Sequence, residues 1–162
     1  MMVFSMKRII KPTKGFTLIE IMIAVAIIAI ISGFAYPSYV KHVQRAKRVD
    51  AQTAVLEAAQ RQEAYSLRMA IKCMSNCYAN SLAQLEYKTT SSEGLYNLAL
   101  SATPSGCTGN STPPVCDGFE ITATPVTTKP QAQDSECQSL TVNQLGTKSA
   151  KDANNSASTK CW

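Results

Sequence analysis

Residues 14–20 read Lys14-Gly15-Phe16-Thr17-Leu18-Ile19-Glu20, and from Ile21 to Ile31 every residue is Ile, Ala, Val or Met. A carboxylate at the head of such a run is costly in lipid, so Glu20 is expected to have a partner and a purpose. The leader 1–15 carries Lys7, Arg8, Lys11 and Lys14 and no acid. A conventional secretory leader is cut after its apolar region, at a small-x-small site. Here the small residue, Gly15, precedes the apolar run, so a cut after it leaves the hydrophobic helix on the mature chain. The segment 16–38 is expected to cross a bilayer: Phe16 to Tyr36 spans ~31 Å as a helix, about one hydrocarbon thickness. Its basic end belongs in the cytoplasm by the positive-inside rule, with the remainder outside.

Gly33 and Pro37 fall within the helical stretch. Proline lacks a backbone donor and clashes with the preceding turn, so a kink or local melting is expected there. Residues 39–72 read as the same helix continued and made amphipathic. Val43, Ala46, Val49, Ala51, Ala54, Val55, Ala58, Ala59, Gln62, Tyr65 and Leu67 recur mainly at three- and four-residue spacing. This stripe is expected to pack on a sheet of the same chain. Residues 41–72 hold seven bases and three acids, whereas 73–162 are mildly acidic. The formal charge of +5 includes the four leader bases, so removing the leader leaves +1. The basic pI is therefore poor support for a nucleic-acid partner.

Beyond residue 72 the composition turns to Ser, Thr, Asn and Gly. Tyr96–Leu100, Phe119–Ala123 and Cys137–Val142 alternate as strands do, and three or four short antiparallel strands are expected. Asn143–Gly146 reads as a turn, and the tail after Gly146 as mostly loop. Six cysteines outside the membrane segment suit an oxidising compartment, and they allow fifteen pairings. Zinc at Cys73 and Cys77 would need two more ligands and is disfavoured. The single histidine, His42, has no clustered carboxylate and reads as a surface residue. With no Gly-rich phosphate loop and no nucleophile–base constellation, neither an enzyme nor a cofactor is indicated.

The string from Gly15 through Phe16 to Glu20 resembles the type IV pilin signature. Tyr78–Leu82, Gly94–Leu98, Gln133–Val142, Gly146 and the terminal Cys161-Trp162 are similar to the PilE-like minor pilins. That resemblance implies an α+β pilin fold: a long N-terminal helix on a small antiparallel sheet, with a disulfide-closed C-terminal loop. It implies that a prepilin peptidase cuts between Gly15 and Phe16 and that Phe16 is N-methylated. It implies that Glu20 meets the Phe16 amine of a neighbouring subunit, and that Pro37 permits partial unwinding in the filament. It also implies Cys137–Cys161, which leaves Cys107–Cys116 and Cys73–Cys77 as the simplest local pairs. Other pilin subunits, the peptidase and the inner-membrane assembly platform are the implied partners. The subunit would wait in the inner membrane with its head in the periplasm and then pass to the pilus at the cell surface. Adhesion, twitching motility and DNA uptake are the implied roles.

Two alternatives stand beside a purely structural subunit. One is a head that binds DNA directly: Lys148, Lys151 and Lys160 face only Asp152 within the C-terminal loop, and Trp162 offers a stacking surface. The other is a pseudopilin of a type II secretion system, which shares the N-terminal signature.

Overall fold

The computed structural model describes residues 15–73, 77–103 and 116–162, without the side chains of 71–73. Leader residues 1–14 lie outside that set, as does Cys107. The chain forms two compact units, Met1–Tyr39 and Val40–Trp162. Helix α1, Leu18–Cys73, contributes to both.

In the first unit α1 is apolar on all sides, with Leu18, Val25, Ile30 and Phe34 all exposed. An 18-residue window there has mean hydropathy 2.6, enough to cross a membrane. The helix begins at Leu18 because Thr17 caps it. Thr17 Oγ1 accepts the Glu20 N–H at 3.3 Å, and the Glu20 carboxylate accepts the Thr17 N–H at 3.0 Å. This reciprocal pair is a capping box, which satisfies donors that a helix start leaves orphaned. The helix runs through Gly33 and Pro37 without interruption, so the local melting allowed for at Pro37 does not occur in the single chain.

In the second unit, α1 packs on a four-stranded antiparallel sheet of order β1-β2-β3-β4. The strands are β1 Tyr96–Thr103, β2 Gly118–Pro125, β3 Ser139–Asn143 and β4 Lys148–Lys151. A 3-10 turn, Pro130–Gln133, lies between β2 and β3. Register pairs Leu98 with Ala123, Ile121 with Val142, and Leu140 with Ala150. Alternation thus sends Tyr96, Leu98, Phe119, Ile121, Leu140 and Val142 to one buried face, against Ala51, Ala54, Val55, Ala58 and Tyr65 of the helix. The opposite face is polar, with Thr122 and Thr141 sharing a hydrogen bond of 3.2 Å. Gln62, fully buried, bonds both backbone groups of Ala79 (2.9 and 2.8 Å) and so fixes the chain just past the helix.

Three expectations need correction. Val49 (56% exposed) and Leu67 (76%) do not belong to the helix's buried face, and Val43 is also exposed. That face runs instead through Arg48, Ala51, Val55, Ala58, Gln62 and Tyr65, a three–four alternation that includes a charge. Second, the tail beyond Gly146 is not mostly loop, since Lys148–Lys151 forms β4. Gly146, at φ +72°, and the Asn143 side chain, which accepts the N–H of Leu145 and Thr147, build the hairpin turn that brings it back. Third, each strand extends past the alternating run that announced it, except β3, which starts later than Cys137.

Candidate functional site

At the N-terminus, Gly15 and Phe16 precede the helix and both are exposed. Glu20 is exposed, and the described hydrogen bonds of its carboxylate go to the N–H and hydroxyl of Thr17. Its carboxylate is therefore held back over the helix start, one residue from Phe16. The Thr-x-x-Glu spacing that encodes this was present in the sequence.

The C-terminal loop is tied to the helix by a charged cluster around Arg48. Its guanidinium grips Asp134 with two bonds of 2.7 Å, reaches Glu136 at 3.0 Å and donates to the Lys160 carbonyl at 2.8 Å. Arg48 is 4% exposed and Asp134 2%. The Asp134 bond, with Glu136 beside it, holds the Arg48 pKa above its ordinary value. Glu136 is shared by Lys160 (2.8 Å), Arg48 and Arg45 (3.3 Å), and these three hold its pKa down at about 2. Gln131 bonds the Gln44 carbonyl at 2.9 Å, and Gln52 bonds the Cys161 carbonyl at 2.6 Å. Sequence reading missed this clamp, because it took Arg48 for a solvated base.

The disulfide Cys137–Cys161 is present, with Cα atoms 5.5 Å apart. Cys77 and Cys116 are also disulfide-bonded, which removes the zinc alternative at Cys77. The expected pairs Cys73–Cys77 and Cys107–Cys116 depend on side chains outside the described residues.

The disulfide loop brings together two of the four candidate DNA contacts. The Lys148 ammonium lies 4.8 Å from the Trp162 ring centroid, a cation–π contact. The indole N–H donates to the Ser149 carbonyl at 2.9 Å, which docks Trp162 against β4. Lys151 is exposed at the other end of β4 and borders a groove of about 460 Å3 with Gln133, Ser135, Gln138, Ser139 and Asn155. Among the described residues, neither Lys148 nor Lys151 makes an ion pair. Lys160 stands apart, its charge spent on Glu136. Asp152, the only acid near these lysines in sequence, uses one oxygen to accept the N–H groups of Asn154 and Ser156. The edge strand therefore presents two free cations and a half-buried aromatic ring. Among the described residues no group of three or more His, Cys, Asp or Glu gathers as a metal site.

Comparison with known proteins gives a family and two structural likenesses. The family described as "Type IV minor pilin ComP, DNA uptake sequence receptor" matches residues 37–141. The prokaryotic N-terminal methylation motif matches residues 10–36. A type IV pilin from Shewanella oneidensis is similar over 65% of this chain and 89% of its own, at 19% identity and TM-score 0.43. The Neisseria meningitidis non-core minor pilin PilV is similar over 74% of this chain and 97% of its own, at 19% identity and TM-score 0.46. No curated protein matches the chain in sequence.

Proposed function

The chain belongs to the ComP family of type IV minor pilins, and from that premise we propose that it is a filament subunit whose head binds duplex DNA during uptake. The single observation carrying the DNA reading is that family match, since the family's own description is of a DNA uptake sequence receptor. The match ends at Thr141, before β4, so the contact residues are argued from chemistry. Lys148 and Lys151 supply phosphate contacts without a competing carboxylate, and Trp162, braced by Lys148, supplies an aromatic surface. Lys160 is assigned to the clamp instead.

Assembly follows from the other end. The peptidase cuts between Gly15 and Phe16, and Phe16 is methylated. Glu20 then receives the Phe16 amine of a neighbouring subunit at the platform. Pro37 is the point where α1 gives way if the filament requires local unwinding. Before assembly the chain sits in the inner membrane with its head in the periplasm, and afterwards it lies at the pilus surface. A minor type IV pilin family displaces the pseudopilin alternative. The family and the fold are structural rather than enzymatic, and the head is read as a binding module without catalysis.

The test is binding of a labelled duplex by the full chain in detergent micelles, across a salt series. Each phosphate contact contributes about 0.9 to the slope of log K against log salt. The double variant Lys148→Ala/Lys151→Ala is expected to lower that slope by about 2. An unchanged slope would remove β4 from the interface, and absence of salt-dependent binding by the parent chain would remove the DNA reading.

A further inference from the structure

Arg45, Arg48, Gln52 and Lys160 line an open pocket of about 360 Å3 on the second unit, away from β4's outward lysines. Three cations meet only two acids there, Asp134 and Glu136. Arg48 is consumed by those acids and by the Lys160 carbonyl. Arg45 and Lys160 are not consumed. Arg45 is 58% exposed and reaches Glu136 through Nη2 alone, at 3.3 and 3.4 Å. Lys160 is 61% exposed and has one bond of its three donors. Both point donors at a shared opening, and Glu136, already serving three cations, cannot neutralise them.

The free donors call for an anion with several acceptor oxygens, which suits a phosphate. Chain position narrows the source. Arg45 follows the expected membrane segment 16–38 by seven helical residues of α1, or roughly 10 Å of rise. The polar headgroup layer is about 5–8 Å deep. An arginine side chain covers the remaining gap, and exposed Lys41 lies within the layer itself. We infer that the Arg45–Lys160 pocket binds the phosphate of an anionic lipid headgroup in the outer leaflet of the membrane that the chain spans, holding the head against the bilayer until the subunit is extracted. This rests on the reading above that the apolar part of α1 is membrane-anchored before assembly.

The chain carries one tryptophan, Trp162, two residues from Lys160. It reports on this end of the molecule alone. The full chain would be reconstituted in vesicles containing a trace of headgroup spin-labelled lipid. Trp162 quenching would be compared between pure phosphatidylcholine and phosphatidylcholine with phosphatidylglycerol. Basic residues near an anionic surface are attracted over about a Debye length, so quenching is expected to rise about twofold or more with phosphatidylglycerol and to fall back in high salt. Arg45→Gln and Arg45→Gln/Lys160→Gln are expected to reduce that rise stepwise. Arg45→Gln alone touches only an exposed side chain and leaves the Arg48 clamp in place. Equal quenching in both lipids, or a rise unaffected by either variant, would overturn the inference and assign the pocket to another anion, such as a neighbouring subunit's carboxylate or a DNA phosphate. A chain that does not insert into vesicles at all would instead remove the anchored reading, and the inference with it.

Discussion

Arg48 decides more of the head than any other single side chain. It is buried, bidentate to Asp134 and bonded to the backbone beside the disulfide, so helix, 3-10 turn and C-terminus all meet on it. Arg48→Ala leaves Asp134 buried and uncompensated, and is expected to cost about 3–5 kcal/mol of stability. Replacing both partners at once, by Arg48→Met with Asp134→Leu, should cost less than Arg48→Met alone. Urea unfolding followed by Trp162 fluorescence measures both. Glu136 makes the same cluster sensitive to acid. Its folded pKa, about 2, lies below the unfolded value of about 4.3. Its stabilisation is therefore complete above pH ~4.3 and drains away as pH falls towards 2. The urea midpoint of Glu136→Gln should change less than the parent's between pH 5 and pH 2.5. None of this was legible in sequence, because a base on an amphipathic helix reads as solvated unless its acids, here 86 and 88 residues away, are known to arrive. Glu20 was legible as an oddity. Its bonds to Thr17 were equally spelled out in the Thr-x-x-Glu spacing but were eclipsed by the assembly reading. Glu20→Ala is expected to leave processing largely intact and to impair incorporation, seen as mature chain retained in the membrane fraction. Normal incorporation of that variant would sink the pairing role.

At the scale of elements, α1 and three of the four strands announced themselves. The apolar run, the alanine-rich continuation and the alternating segments each carry their own periodicity. Strand β4 did not, since Lys148-Ser149-Ala150-Lys151 has no β-branched or aromatic residue. It is a strand because the Asn143–Gly146 turn folds it onto β3 and because Cys161 and Trp162 close over it. Tertiary context outweighed propensity there. The disulfide is thus the device that holds the candidate DNA contacts in place. Cys137→Ser/Cys161→Ser is expected to lose about 3 kcal/mol in the chain-entropy model. It should also weaken DNA binding more than it weakens the fold of β1 and β2, which hydrogen exchange would resolve.

On the scale of the molecule, an apolar helix continues into the helix that backs a small sheet. The first part serves membrane and filament, and the second carries a recognition surface on the edge strand and a basic pocket near the point where the chain leaves its apolar segment. The general class was legible from residues 15–20 and the run behind them. Which lysines remain free was not, because that depends on how the chain folds Glu136 and Asp152 into their own bonds. The account's central claim is that this chain is a processed, low-abundance subunit of a type IV filament. Quantitative mass spectrometry of sheared surface filaments tests it most directly. A trace amount of mature chain beginning at N-methylated Phe16 is the expected result. Absence from the filaments, with processed chain left in the membrane fraction, would contradict it.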